Sequence, residues 1–274
     1  MVFLFYVRKM TLEAVKFDDG LVVFGDSTKR ETLEFIEDQL GDELVFPLIL
    51  TDPPYGHIVK SVWDQAKSTD TEFLRWMLDW TELWSERLVD GGAFYVWGGI
   101  GLNKFRPFFR YVVQAELETK LSLSNLITWS KKRAYGTQNN YLFTREECAY
   151  FVKGDPKKPR TFNVPLLDKK RPYAGYNKKY PAKSEYYRRT NVWTDVTEIF
   201  RGKVYETQKP KRGMSIPIEV HTNPGEWVVD MFAGSGTTAV AARELGRKFI
   251  LVENDREAFK KILQRLETVP SEKP

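Results

Sequence analysis

Residues 227–238 read Trp227-Val228-Val229-Asp230-Met231-Phe232-Ala233-Gly234-Ser235-Gly236-Thr237-Thr238. A short apolar run ends at an acid, passes two glycines and enters a helical pattern that extends to Leu245. The stretch reads as a strand, a tight turn and the start of a helix. Glycine lets backbone approach a ligand closely, and the first turn of a helix offers N–H groups without an intrahelical partner. Glu253 stands 19 residues beyond Gly234, at the end of the next strand-like run, which begins at Lys248. An acid at about that separation is placed to accept hydrogen bonds from both hydroxyls of a ribose. No lysine follows the glycines as in a phosphate-binding P-loop, so a nucleoside cofactor is favoured over ATP hydrolysis.

Working outward, a second turn follows the apolar run Leu44 to Thr51: Asp52-Pro53-Pro54-Tyr55. Two prolines stiffen the chain, remove two N–H donors and leave bare carbonyls beside a carboxylate. An aromatic ring follows at once. This set suits a planar amine, with Asp52 and a proline carbonyl each accepting one N–H while Tyr55 stacks on the ring. Around the two turns, strand-like runs (21–25, 44–51, 93–97, 123–129, 148–152, 227–230, 248–253) alternate with helical ones (29–40, 71–88, 104–118, 212–222, 237–245). A further helix follows Glu253, and Gly91-Gly92 reads as a turn ahead of the strand from Ala93. Alternation of this kind predicts a doubly wound, mostly parallel α/β sheet, whose ligands bind outside the carboxyl ends of its strands.

Between Gly154 and about Tyr205 the periodicity is lost. From Lys153 to Arg212 there are 17 Lys/Arg against 6 Asp/Glu, a local +11, which leaves −6 for the remainder of a chain whose net charge is +5. Phe162, Tyr173, Tyr176, Tyr180, Tyr186, Tyr187, Trp193, Phe200 and Tyr205 are interleaved with these cations. A basic, aromatic segment beside an acidic body reads as a polyanion-binding surface, with Lys157, Lys158, Arg160, Arg188 and Arg189 as its candidate nucleic-acid contacts. The alternative is a solvated loop pinned to the body by its aromatics.

Composition narrows the rest. One cysteine, Cys148, excludes an internal disulfide framework and reads as a buried small hydrophobe in a reducing, cytoplasmic setting. With only His57 and His221 besides, a Cys/His zinc site is excluded and no metal is expected. No run approaches the ~18 apolar residues of a membrane span. Met1 to Val7 is apolar but short, with Arg8 and Lys9 behind it, and reads as a strand or ordered arm rather than a targeting segment.

Taken together, these motifs resemble the amino-methyltransferases that modify DNA, in the permuted β-group order. Asp52-Pro53-Pro54-Tyr55 precedes the Asp230–Gly236 turn, and the basic insertion lies between them. Thr207-Gln208-Lys209-Pro210, Gly25-Asp26, Ile127–Lys131 and Asn191-Val192-Trp193 resemble further landmarks of that family, though Tyr205-Glu206 stands where it often has His-Pro and Gly56 where it often has Asn. The resemblance spans about residues 22 to 266. It implies a seven-stranded Rossmann-like methyltransferase sheet divided into a catalytic half (1–153), a target-recognition insertion (154–205) and a cofactor half (206–274). It implies S-adenosyl-L-methionine as cofactor, bound by Asp26, Lys209, Asp230, Phe232, Ala233, Gly234, Ser235, Gly236, Thr237 and Glu253, with Asp52, Pro53, Pro54 and Tyr55 catalytic. The partner is double-stranded DNA, and a homodimer and a companion restriction endonuclease are associations known in the family.

The activity so implied is site-specific methylation of the exocyclic N6 of adenine after base flipping. Resemblance to the Asp form of the tetrapeptide leans towards adenine. N4-cytosine methylation is the alternative, followed by an RNA base-amine methyltransferase and a catalytically silent DNA-binding subunit. Trp63 and His57, just past Tyr55, are expected to shape the pocket rim or simply to pack.

Overall fold

A computed structural model describes residues 11–41, 44–55, 69–99, 102–136, 138–172, 184–199 and 208–269. The apolar runs form strands because each is buried on both faces: β2 (Gly20–Phe24), β3 (Phe46–Thr51), β10 (Trp227–Asp230) and β11 (Lys248–Glu253) lie parallel in the order β2-β11-β10-β3. The sheet continues from β3 into β4 (Leu88–Gly98), β6 (Phe143–Lys153) and β5 (Leu121–Tyr135), β6 running antiparallel to both neighbours.

These are the seven expected strands, but the sheet has nine among the described residues. A hairpin strand β1 (Glu13–Phe17) extends one edge, and β9 (Val192–Trp193), two residues of the insertion, extends the other alongside β5. Neither is visible as an apolar run, because β1 is half exposed and β9 is held by a short parallel pairing of Val192 with Thr128 and Trp193 with Trp129. The expected turn at Gly91-Gly92 is corrected as well: both glycines lie inside β4, at a register irregularity opposite Phe46 and Leu48. A Cβ on Gly91 would meet the Arg160 backbone nitrogen at 2.7 Å, so the glycine serves a close chain crossing there.

Helices cover both faces. On one, α1 (Arg30–Leu40), α2 (Asp70–Ser85) and α3 (Leu102–Glu118) bury Leu33, Ile36, Met77, Trp80, Trp84, Phe108 and Tyr111 against the sheet. A capping box starts α2, Thr69 accepting from the Glu72 N–H while Glu72 accepts from that of Thr69. On the other face lie α4 (Lys211–His221), α5 (Thr237–Glu244) and α6 (Arg256–Thr268), burying Met214, Ile218, Ala241, Phe259 and Ile262. Cys148 is fully buried in β6, and its thiol is pushed well up by burial, first of all.

The described part of the insertion is more ordered than its composition suggests. Beyond β9 it forms an antiparallel ribbon, β7 (Leu166–Lys170) with β8 (Tyr186–Arg188). Its entry is moored on His221, which is bonded to the Thr161 carbonyl and the Tyr95 hydroxyl and whose pKa burial depresses to about 4. A neutral ring donating from Nδ1 to the carbonyl and accepting at Nε2 from the tyrosine satisfies both partners.

Candidate active site

Because β2, β11, β10 and β3 are adjacent and parallel, their carboxyl ends bring together Gly25-Asp26, Glu253, the Gly234 turn and Asp52. The two turns found in sequence are joined directly, Thr51 Oγ1 donating to Asp230 Oδ1 at 3.0 Å.

At the β10 turn, Gly234 and Gly236 have φ of +52° and +70°, conformations that a side chain disfavours. A Cβ on Gly234 would meet nothing within 4 Å, which leaves an open cradle above the turn. Glu253 borders it. One carboxylate oxygen accepts from the Gly234 N–H at 2.7 Å and the other from the Asp255 N–H at 2.8 Å, and each oxygen retains a lone pair for a further donor. Burial raises the Glu253 pKa to about 7 against the opposing pull of those N–H groups.

The other residues expected to hold a cofactor build the turn from behind. Asp230 accepts from Thr51, from the Phe232 N–H and from Thr238 Oγ1, and burial raises its pKa to about 6. Phe232 wedges against Trp76 and Trp80, and the Ala233 N–H bonds the Val252 carbonyl. Ser235 and Thr237 share a hydroxyl contact of 2.9 Å, with Arg265 donating to the Ser235 carbonyl. Asp26 accepts from the Thr28 backbone and hydroxyl, fixing the loop from β2 into α1.

At the β3 end, the Asp52 carboxylate accepts from the Tyr55 hydroxyl at 2.5 Å and from Lys209 Nζ at 2.6 Å. Lys209 also donates to the Tyr55 oxygen at 2.9 Å and lies 5.1 Å from the Tyr55 ring centroid and 5.5 Å from that of Trp97. The sequence motif placed Lys209 with the cofactor residues; the fold delivers its ammonium to Asp52, from the residue pair leading into α4. Pro53 and Tyr55 line a small apolar recess with Phe73, Met77, Trp97 and Phe108.

The charged cluster around Lys209 holds two residues whose part in the site escaped the sequence reading. Glu146 on β6 lies 3.4 Å from Lys209 Nζ and is also paired with Lys131 on β5. Strand alternation contained the signal: Glu146 shares its face with core residues Cys148 and Tyr150, and Lys131 with Ile127 and Trp129. Burial raises the pKa of Asp52, Lys209 only partly opposing it. Burial also pushes Glu146 upward, but the Lys209 and Lys131 ammoniums outweigh it and hold Glu146 below the usual carboxylate range. Among the described residues, no group of three or more His, Cys, Asp or Glu is arranged to hold a metal ion.

The expected DNA contacts divide. Arg188 is exposed, its guanidinium over the Phe162 ring, and the same ribbon sets Lys169 and Arg171 over Tyr187 and Lys170 over Tyr186. Arg189 is buried in a two-point ion pair with Asp195, at 2.6 and 2.7 Å. Its alternation partner Arg188 points outward while Arg189 points in, so only one of the pair is free to meet phosphate. Lys157 and Lys158 are exposed, but Arg160 is tied to Glu226 and the Gly91 carbonyl, at the amino end of the parallel strands and opposite Asp52. Thr207 of the Lys209 motif, His57, Trp63, Tyr173, Tyr176, Tyr180, Phe200, Tyr205 and the Met1–Val7 arm lie outside the described residues.

Comparison with known proteins agrees with this geometry. The N6/N4 family described as DNA methylase matches residues 46–264. The Type II methyltransferase M2.DpnII of Streptococcus pneumoniae is 29% identical over 256 residues, 86% of this chain and 87% of that protein. The DNA adenine methyltransferase YhdJ of Escherichia coli is 28% identical over 80% of this chain and 76% of its own length. The Type II methyltransferase M.BamHI of Bacillus amyloliquefaciens is 27% identical over 77% of this chain, which spans half the length of that relative. Among solved structures, the cytosine-N4-specific PvuII DNA methyltransferase superposes with a TM-score of 0.66 at 19% identity, covering 90% of this chain and 86% of that one, a likeness of fold.

Proposed function

This chain belongs to the N6/N4 DNA methylase family, and we propose that it methylates the exocyclic N6 of adenine at a specific site in double-stranded DNA. The observation that carries the reading is the placement of Asp52 and Tyr55 just past the end of the strand beside the Gly234 cradle, joined to it through Thr51 and Asp230. S-adenosyl-L-methionine is the cofactor of this family and supplies a methyl group already activated on a sulfonium. The cradle fits its nucleoside: there is open space over Gly234, and the Glu253 carboxylate has lone pairs left for ribose hydroxyls.

The chain's own residues then have a limited task. The exocyclic amine of adenine is a poor nucleophile because its lone pair is delocalised into the ring. Asp52 and the Pro53 carbonyl accept its two N–H bonds and turn the lone pair out of the ring plane, while Tyr55 stacks on the base. Orientation and electrostatic stabilisation of the positive charge developing on nitrogen are the protein's contributions. The base reaches this recess only when flipped from the duplex, at a cost of about a few kcal/mol that stacking and phosphate contacts offset.

Residues 154–205 form the target-recognition insertion in this reading, supported by a ribbon that stands apart from the main sheet and presents Lys169, Lys170, Arg171 and Arg188 among aromatics. The Asp form of the tetrapeptide and the relative named as an adenine methyltransferase favour adenine. The N4-cytosine reading is retained because the PvuII neighbour carries that specificity. The relatives named Type II methyltransferases favour a companion endonuclease and, with it, a role on DNA inside the cell. Among the described residues no helix is long and apolar enough to cross a membrane. Modified-base analysis of genomic DNA from cells expressing the protein tests the reading: N6-methyladenine in one sequence context supports it, and N4-methylcytosine instead overturns the adenine assignment.

A further inference from the structure

Lys209 stands where a substrate amine would stand. Its ammonium gives one N–H to Asp52 Oδ2 at 2.6 Å, the acceptor that the reaction needs, and another to the Tyr55 oxygen at 2.9 Å. A strong charge-assisted contact on the reacting carboxylate would block the base unless the cation has somewhere else to go. The pocket provides that place. Glu146 Oε2 is buried, lies 3.4 Å from the same nitrogen in a long ion pair and has no other hydrogen-bond partner. A displacement of roughly 0.6 Å would bring Nζ to the ~2.8 Å of a charge-assisted hydrogen bond with Glu146, and a further swing of the flexible side chain clears Asp52.

We propose that Lys209 is a place-holder for the target amine, resting on Asp52 in the free enzyme and moving onto Glu146 when the flipped base enters. The proposal rests on the reading of Asp52 as the acceptor for that base. Charge bookkeeping favours a move within the pocket over withdrawal from it. The groups facing the ammonium are Asp52, Tyr55 and Glu146, with Lys131 beyond Glu146 and Cys148 below on β6. Asp52 and Glu146 carry two negative charges, Lys209 and Lys131 two positive ones. Withdrawing Lys209 would leave a buried carboxylate uncompensated, which is costly, whereas a shift to Glu146 keeps the cluster neutral while a neutral amine replaces a cation at Asp52.

Lys209 is not the base that collects the amine proton. Burial alone would lower its pKa, but Asp52 and then Glu146 hold it above the ordinary lysine value, so it rests as an ammonium. Glu146 touches neither base nor cofactor in this scheme and acts as a positioning residue.

The test compares wild type, Glu146→Gln, Lys209→Gln and the double variant. Each is read by transfer of labelled methyl from S-adenosylmethionine to bulk unmethylated DNA, by calorimetric cofactor affinity and by NMR titration of the Asp52 carboxyl. Glu146→Gln locks Lys209 on Asp52, so kcat should fall roughly ten- to a hundredfold, the range that small misplacements at a reacting centre produce, with cofactor affinity unchanged. Removing the lock should help: the double variant should outpace Glu146→Gln at high pH, where Asp52 is ionised without its lysine. The Asp52 midpoint should rise in Lys209→Gln and stay or fall in Glu146→Gln. Glu146→Asp, which keeps the carboxylate, should remain within a fewfold of wild type and guards against a folding defect.

A double variant as slow as Glu146→Gln at every pH, or an Asp52 midpoint raised by Glu146→Gln, overturns the place-holder. A wild-type enzyme that transfers no methyl to DNA would instead sink the methyltransferase reading, while the titration still reports on the lysine's two resting places.

Discussion

Glu253→Gln isolates the electrostatic cost of the carboxylate proposed to face the ribose. Burial raises the Glu253 pKa from 4.5 to about 7 in the folded protein, so the native state holds a proton that the unfolded chain releases. For a raised carboxylate the sign is fixed: native stability is greatest below pH 4.5, declines as pH rises towards 7 and is level above it. At 1.36 kcal/mol per pKa unit the full cost is about 3 kcal/mol, most of it incurred between pH 5 and 7. Asp230, raised to about 6, titrates in an overlapping window, so wild type alone does not isolate the effect. The difference between wild type and Glu253→Gln does. Urea unfolding of both proteins, without cofactor, should show the variant gaining on wild type by roughly 2–3 kcal/mol between pH 5 and pH 8, whatever constant offset the amide brings. Ribose hydroxyls favour the ionised form, so S-adenosylmethionine should bind wild type more tightly as pH rises to 7, with release of a proton, and bind the variant weakly and without that dependence. A wild-type-minus-variant difference that is flat in pH would refute the raised pKa, and unchanged cofactor affinity in the variant would refute the ribose assignment.

Further expectations concern the other parts of the site. Asp52→Ala should lower methyl transfer by roughly a hundredfold or more while cofactor affinity is retained, and wild-type turnover would reduce Asp52 to a turn residue. Gly234→Val forces a β-branched side chain into a positive-φ position and fills the cradle, so thermal unfolding should show a loss of about 1–2 kcal/mol and calorimetry a loss of cofactor binding. Arg188→Gln should flatten the salt dependence of duplex binding by about 0.9 in log–log slope if the residue meets a phosphate; an unaltered slope and site preference would support the solvated-loop alternative. Arg189→Gln should act differently, costing about 2 kcal/mol of stability through the lost Asp195 pair with the salt slope unchanged.

The strands and helices around the two turns were legible because buried parallel strands write themselves as unbroken apolar runs, as in Phe46–Thr51 and Trp227–Asp230. β1 and β9 were not, since edge strands carry mixed residues and depend on a neighbour for their conformation. In the site, the residues singled out by spacing within each motif lie in contact, Asp52 with Tyr55 and Gly234 with Glu253. Residues whose roles depend on contacts across the sheet were not. Lys209 and Asp52 are 157 positions apart, and nothing in a local window pairs them. Neighbouring Arg188 and Arg189 look alike in sequence, yet only the fold reveals that one is exposed and the other buried.

The position of β10 in the sheet has a consequence for biosynthesis. β10 lies between β3 and β11 at the centre, yet it begins at residue 227, and its tie to Thr51 spans 179 residues. A ribosome emits roughly 5–20 residues per second, so for about ten seconds or more β3 has been made while the strand that covers its edge has not. An unpaired, largely apolar strand edge is a template for association with other chains. That edge of β3 is without its partner until residue 230 has emerged. The same delay keeps the enzyme from modifying DNA early, since neither the cradle nor the lysine at Asp52 exists before then.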